Sequence, residues 1–198
     1  MASLKDKLKE KIALLRLRQG DTEAFGYIYE TYIEQIYRYI YFRTSDQGMA
    51  HDIAQDVFLQ TWEYIVSKKP VQNLKSFLYK VAYHKVVDYY RVKERQTQLI
   101  DEMQERALQT GAPNSTDIEM HFLMKHIQSL KPEYQDIIVL KHVEGLSISE
   151  IAHIIGKDAN NIRVTLHRAL ASLKEIYNAI QNRNKIQQKK NVVESPDQ

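Results

Sequence analysis

Apolar residues recur along the chain at helical spacing, and almost nowhere at the alternating period of a strand. Leu4, Leu8, Ile12 and Leu15 form a stripe among lysines, which predicts a short amphipathic helix. Gly20 and Asp21 interrupt it, and Asp21 is placed to cap a second helix running to about Arg43. Thr44, Ser45 and Asp46, with Gly48 behind them, punctuate again. A third helix follows from about Met49 to Val66, with Ala50, Ile53, Ala54, Val57, Phe58, Trp62 and Ile65 as a broad inward face. A fourth, from Leu74 to about Arg95, turns Leu74, Leu78, Val81, Ala82 and Tyr89 toward a core. Between Gln96 and Asp117 the pattern fades into polar and acidic residues, then Gly111, Ala112, Pro113, Asn114 and Ser115, which reads as a linker with helical character in its first half. Periodicity returns from Glu119 to Leu130 through Met120, Leu123, Met124 and Ile127. Pro132 suits the first turn of a helix reaching Val143, in which Ile137, Ile138 and Leu140 pack and after which Gly145 terminates. With 6 Gly and 4 Pro in 198 residues, the expectation is an all-α fold of two small helical domains joined by a linker. The boundaries read as 1–95, a linker 96–118, a second domain 119–180 and a flexible polar tail 181–198.

The most sharply defined stretch is Leu146 to Leu173. Ser147 and Glu150 have the spacing of a capping box, and Leu146 with Ile151 that of a hydrophobic staple. Ala152 lets a second helix approach, and Gly156 can take the positive φ that ends the first. The second resumes near Ala159 with Ile162, Leu166, Ala169 and Leu173 as its buried stripe. At 100° per residue, Asn160, Arg163, Val164, His167 and Arg168 project together on the opposite side, with Asn161 at the edge. Amides pair with adenine, guanidinium with guanine, and a small apolar side chain meets the thymine methyl. The stretch therefore reads as a helix-turn-helix whose second helix enters a major groove. The blander reading of the same face is a helical hairpin with a solvated polar surface.

Charge adds a polarity. From Asp21 to Glu63 there are eight acidic residues against Arg38 and Arg43 alone. On the third helix, Asp52, Gln55, Asp56, Leu59 and Glu63 share the face opposite the apolar one, an acidic ring about an exposed leucine that would suit a basic partner protein. The sign then reverses. The loop Ser67 to Asn73 carries Lys68, Lys69 and Asn73, followed by Lys75, and the fourth helix brings Lys80, His84, Val87 and Arg91 together with Phe77 and Tyr83 alongside. Cations beside exposed aromatics are what single-stranded nucleic acid needs for phosphate neutralisation and base stacking. Solvated charged faces are the bland alternative for both. The second helix holds six of the 13 tyrosines, for which packing is the preferred reading over base stacking. No cysteine is present, so disulfides and thiolate metal sites are excluded. The seven histidines include no pair three or four apart, Asp52 and Asp56 lack an accompanying Glu-x-x-His, and there is neither a Gly-rich phosphate loop nor a GxSxG. The reading is a protein without catalytic function, metal or cofactor, and with no membrane span or secretory signal.

GDTEAF at Gly20–Phe25, DIAQDVFLQTW at Asp52–Trp62, SFLYKVAYHKVVDYYR at Ser76–Arg91, and LKPEYQDIIVLKHVEGLSISEIAHIIG followed by LHRAL together resemble the bacterial RNA polymerase sigma factors of the extracytoplasmic-function group. The resemblance covers about Gly20–Arg95 and Leu130–Leu173. It implies a cytoplasmic protein that binds core polymerase and directs promoter-specific initiation, with residues 1–95 as the promoter-melting domain and 119–180 as the C-terminal one. It assigns Asp52, Gln55, Asp56, Leu59 and Glu63 to the clamp helices of the largest polymerase subunit. Lys68, Lys69, Asn73, Lys75, Phe77, Lys80, Tyr83, His84 and Arg91 go to the melted minus-ten strand. Asn160, Asn161, Arg163, Val164, His167 and Arg168 go to the duplex minus-thirty-five element. It also implies an anti-sigma protein as a further partner. Three positions depart from the pattern: His84 stands where Asn is usual, and Thr165 and Leu170 stand at commonly basic positions. They bear on the promoter sequence read. Two other classes fit the residues less fully, a stand-alone helix-turn-helix regulator and a pure protein-interaction module.

Overall fold

The computed structural model describes residues 4–100 and 118–193, and among these it is helical throughout, with no strand. Helix α1 spans Leu4–Arg18, α2 Ala24–Thr44, α3 Gln47–Val66 and α4 Leu74–Ile100. After the linker come α5 (Ile118–Gln128), α6 (Pro132–Ile138), α7 (Ile148–Ile155) and α8 (Ala159–Val193).

Helices α1–α4 wrap one core. Ala13 and Leu17 of α1, Ile28, Ile36 and Ile40 of α2, Ala54, Val57 and Ile65 of α3, and Leu74, Leu78 and Ala82 of α4 are all buried, each set at three- and four-residue spacing. The tyrosines of α2 mostly pack, as their sequence context suggests. Tyr39 is fully buried edge-on to Tyr79 at 5.7 Å, and Tyr37 stacks parallel on Tyr41. At the start of α2 the Asp21 carboxylate pairs with Arg16 at 2.6 Å and also accepts from the backbone N–H groups of Glu23 and Ala24, while Glu23 stands at the helix boundary without a capping bond of its own. The cap of α3 is instead Asp46, whose Oδ1 accepts from the Met49 N–H at 2.9 Å.

The second core joins α5–α8 through Met124, Ile127, Ile137, Ile138, Ile151, Ile154, Ile162 and Ala169. Pro132 opens α6 as expected, but the helix does not run regularly to Val143. From Val139 it widens into a π turn closed by the Glu144 N–H on the Val139 carbonyl at 3.0 Å. Ser147 and Glu150 complete a reciprocal capping box at the start of α7. Gly156 ends α7 with φ 76° and ψ 31°. Asp158, which the apolar pattern does not single out, accepts from the Asn161 N–H at 2.9 Å and so caps α8. Helix α4 extends past Arg95 to Ile100, and α8 runs on to Val193 through most of the segment expected as a polar tail. Residues 101–117, most of the expected linker, lie outside the described residues, as do the side chains of Glu119 and Met120.

The two halves pack against each other, chiefly α7 on α4, with smaller contacts of α2 to α5 and to the π turn, and with side-chain bonds from α2 to α6. Arg43 of α2, 4% exposed, donates through Nε to Asp136 Oδ1 at 2.6 Å, and the Tyr39 hydroxyl donates to the same oxygen at 3.0 Å. Arg38 grips Glu144 with Nε and Nη2 at 2.9 and 2.8 Å, and the Tyr79 hydroxyl adds a third bond at 2.6 Å.

The turn of the helix-turn-helix yields a direct test of this local account. A Cβ added to Gly156 meets no heavy atom within 4 Å, so Gly156→Ala incurs backbone strain alone. A loss of about 1–2 kcal/mol is expected in urea titration, with a smaller loss for Gly156→Asn, which tolerates the left-handed region. An unchanged midpoint for Gly156→Ala would show that positive φ is not what the turn requires.

Candidate nucleic-acid interface

Three surfaces can be built from the helices upward. The first is the outer face of α8. With Ile162 and Ala169 fully buried and Leu166 partly so, helical geometry forces Asn160, Asn161, Arg163, Val164, His167 and Arg168 outward, and all six are exposed. They are brought together as the sequence predicts. Thr165 is buried, and its hydroxyl donates to Asn161 Oδ1 at 3.2 Å, which fixes the Asn161 amide with its N–H donors free to point away from the helix. Thr165 thus spends its position supporting a neighbour, in place of the cation common there in the resembling family.

The second surface is the groove between the end of α3 and the first half of α4, about 270 Å³ and lined by Gln60, Tyr64, Phe77, Lys80, Val81, His84, Lys85 and Asp88. Phe77, Lys80 and His84 meet here. The sequence did not single out Tyr64. Its ring lies 4.5 Å from that of Phe77, tilted by 36°, and Lys69 Nζ sits 5.2 Å over it, which brings two aromatic rings and a cation together. The only signal for it was an aromatic one turn before the basic loop. That loop is held from behind: Arg18 donates to the Lys69 carbonyl at 3.2 Å, and Lys68 takes a positive φ of 59°. Lys68 and Lys69 are exposed, and Arg91, exposed near the far end of the face, pairs with Asp88 at 3.2 Å.

Three residues expected on this surface are engaged by the C-terminal domain. The Asn73 amide donates to Glu150 Oε1 at 3.1 Å, and Lys75 Nζ donates to the Glu144 carbonyl at 3.0 Å. Tyr83, half-buried, lines the cleft between domains with Arg43, Tyr90, Asp136 and Lys157, and so do Val87 and Arg91, which the sequence grouped with Lys80 and His84 but which do not line the groove of those two. Burial raises the Tyr83 hydroxyl pKa, and the nearby Asp136 charge adds to the rise. Buried Asp136 is itself pushed up by desolvation and pulled back by Arg43, whose own charge that carboxylate stabilises. Glu150 shows the reverse balance. Partial burial works against its charge, but hydrogen bonds from the Ser147 hydroxyl and N–H, from Asn73 and from Ser76 hold its carboxyl below the usual 4.5.

The third surface is the outer side of α3. Asp52, Gln55, Asp56, Leu59 and Glu63 are all exposed, Leu59 by 55%, while Ile53, Ala54, Val57 and Phe58 bury the other side. Asp56 is partly neutralised by Lys85 of α4 at 2.8 Å, so the acidic ring touches the edge of the basic groove. Among the described residues no group of acidic or histidine side chains is arranged to hold a metal ion, and no helix is long and apolar enough to cross a membrane.

Such a pairing, an acidic and a basic face on one helical domain and a helix-turn-helix on the next, defines a two-domain transcription initiation factor of the sigma-70 type. Residues 28–96 match the family model described as Sigma-70 region 2, and residues 123–173 match that described as Sigma-70, region 4. The chain is similar to the ECF RNA polymerase sigma factor SigD of Mycobacterium bovis, 30% identical over 165 residues that cover 79% of this chain and 78% of that protein. It is 29% identical over 155 residues to the RNA polymerase sigma factor YlaC of Bacillus subtilis, covering 75% and 88%. Its fold matches that of the sigma factor RpoE of Bartonella quintana, solved with the anti-sigma factor NepR, at a TM-score of 0.69 and 19% identity over 79% of this chain and 98% of that one. The chain belongs to the extracytoplasmic-function sigma factors, and is a promoter-recognising sigma factor.

A carboxyl held low in the folded state contributes stability that is present above its unfolded pKa and is lost as pH falls through the folded value. Glu150→Gln is therefore expected to flatten the pH dependence of thermal stability as pH falls below the ordinary glutamate range. Identical pH slopes for the two proteins would show that the Glu150 charge is not held by these bonds.

Proposed function

We propose that the three surfaces divide promoter-specific initiation among themselves, with residues 1–95 gripping polymerase and the melted strand, and 119–180 reading duplex upstream. The face of Asp52, Gln55, Asp56, Leu59 and Glu63 docks on the clamp helices of the largest polymerase subunit. Lys68, Lys69, Asn73, Lys75, Phe77, Lys80, Tyr83, His84 and Arg91 hold the unwound minus-ten strand. Asn160, Asn161, Arg163, Val164, His167 and Arg168 read the minus-thirty-five element in the major groove. The observation that carries the reading is the clustering of Tyr64, Phe77, Lys80 and His84 in one groove, with Lys69 over the Tyr64 ring, on the domain whose helix α3 is acidic outside. The sigma factor itself supplies no bond-making chemistry, which belongs to the polymerase, and it works in the cytoplasm where the polymerase is. An anti-sigma protein is a further partner, as for the Bartonella quintana neighbour.

Run-off transcription with bacterial core polymerase, on promoters selected from a randomised library, tests the whole reading. Specific transcripts are expected only with both proteins present. Specific duplex binding by the chain without polymerase would favour a stand-alone regulator.

Lys80→Ala with Arg91→Ala should impair strand opening, read by permanganate, more than polymerase binding. Each lost contact to single-stranded phosphate should flatten the log–log salt dependence by roughly 0.7. Normal opening by the double variant would remove α4 from the melted-strand surface.

Arg163 lies in the first turns of α8, where such a helix meets base edges. Arg163→Ala is expected to lose roughly 1–3 kcal/mol of discrimination at one upstream base pair, while Arg168→Ala, further round the helix, weakens all promoters alike. Selection of the same upstream bases at the same stringency by Arg163→Ala would place sequence reading elsewhere.

A further inference from the structure

Helix α1 carries a second apolar side besides the one it packs with. Its inner side belongs to the first core, where Ala13, Leu14 and Leu17 are buried against α2 and α3. Leu8, Ile12 and Leu15, four and three residues apart, stand together on the opposite side and are 59%, 47% and 57% exposed. They form an apolar ridge about 10 Å long at 1.5 Å per residue. By helical register, Lys5, Lys9 and Arg16 border it on one flank and Lys11 on the other, all exposed. Arg16 also pairs with Asp21. Among the described residues of α1 no carboxylate shares this side, since Glu10 turns inward and accepts from the Tyr32 hydroxyl at 2.5 Å. At the end of the helix Arg18 donates to the Lys69 carbonyl at 3.2 Å, which ties the loop of Lys68 and Lys69, both exposed, to the same helix.

We propose that this ridge is a docking site for an anionic lipid bilayer, on which α1 lies in the plane of the headgroups. Aliphatic side chains between two rows of cations are the composition of an interfacial helix. Leu8, Ile12 and Leu15 enter the acyl boundary. The long stems of Lys5, Lys9 and Lys11 lie along it while their ammonium groups reach the lipid phosphates. A protein partner fits this surface less well. A stable protein interface covers about 800 Å² on each side, and three aliphatic side chains on one convex helix make a small core for it. A bilayer moulds itself to the ridge and needs no complementary shape. Nucleic acid would use the cations but leave the aliphatic side chains in water. The attachment is weak and reversible, no stronger than that of a single acyl chain, so the protein exchanges freely between bilayer and solution. The ridge shares no residue with the three surfaces assigned above. It adds a location to the sigma-factor reading without depending on it.

Co-sedimentation of the full chain with vesicles tests the proposal. Phosphatidylcholine vesicles with about one-third phosphatidylglycerol should bring the protein down at low salt, and phosphatidylcholine alone should not. Leu8→Gln with Ile12→Gln should lower the partition coefficient about tenfold or more. Both side chains are exposed, so helicity and run-off transcription should stay as in the wild type. Lys9→Gln with Lys11→Gln should also lower partitioning, and make what remains less sensitive to salt. Sedimentation of either double variant equal to that of the wild type would show that other cations of the chain hold the lipid, and would overturn the proposal. Equal binding to neutral and anionic vesicles, or binding to neither, would overturn it too. So would a lipid-free dimer in analytical ultracentrifugation that Leu8→Gln with Ile12→Gln abolishes, since the ridge would then be an interface between two copies. Failure of the sigma-factor reading shows separately, as a wild-type protein that sediments with anionic vesicles but initiates nowhere with core polymerase.

Discussion

Two buried carboxylates, Asp136 and Glu144, decide how this molecule is put together. Each lies in the C-terminal domain and is satisfied by an arginine and a tyrosine of the N-terminal one. Removing one member of a buried pair strands a charge, at a cost of about 3–5 kcal/mol. Separating the whole domains returns both members to water, where each is well solvated, so the pairs contribute little net affinity. An interface built this way has a definite register yet opens readily. A purely apolar one would have been harder to part.

The rest of the architecture follows from that register. The π turn at Val139–Val143 adds a residue to the helical ladder just ahead of Glu144. Glu144 lies over Arg38 and Tyr79, and α7 follows with Glu150 over Asn73 and Ser76. The acidic side of α3, the aromatic groove beside α4 and the outer face of α8 all remain in solvent. The packing of the two domains therefore engages one edge of the proposed melted-strand surface and leaves the proposed polymerase handle exposed.

How much of this could be read in advance depended on range. Most of the helix-turn-helix was legible because its determinants are local: the Ser147–Glu150 box and the positive φ of Gly156 act within a turn or two, and only the Asp158 cap of α8 went unread. The division into an acidic and a basic face was also legible, since helical period alone puts Asp52, Asp56 and Glu63 on one side of α3 and Lys80, His84 and Arg91 together on α4. Contacts between distant segments were not. Arg43 and Asp136 are 93 residues apart, and nothing near either one names the other. In hindsight Arg38 and Arg43, the only cations in an acidic stretch, were the hint. Tyr64 escaped because its place over Phe77 depends on the angle between two helices.

The account's central claim is that one chain reads two separated promoter elements, and only on polymerase. Footprinting one selected promoter with hydroxyl radicals and permanganate, with and without core enzyme, measures this in a single experiment. The account predicts, with core enzyme, simultaneous protection of an upstream duplex segment and reactive thymines downstream, and neither with the free chain. Protection of the upstream segment by the free chain alone, or of one element without the other in the holoenzyme, would contradict it.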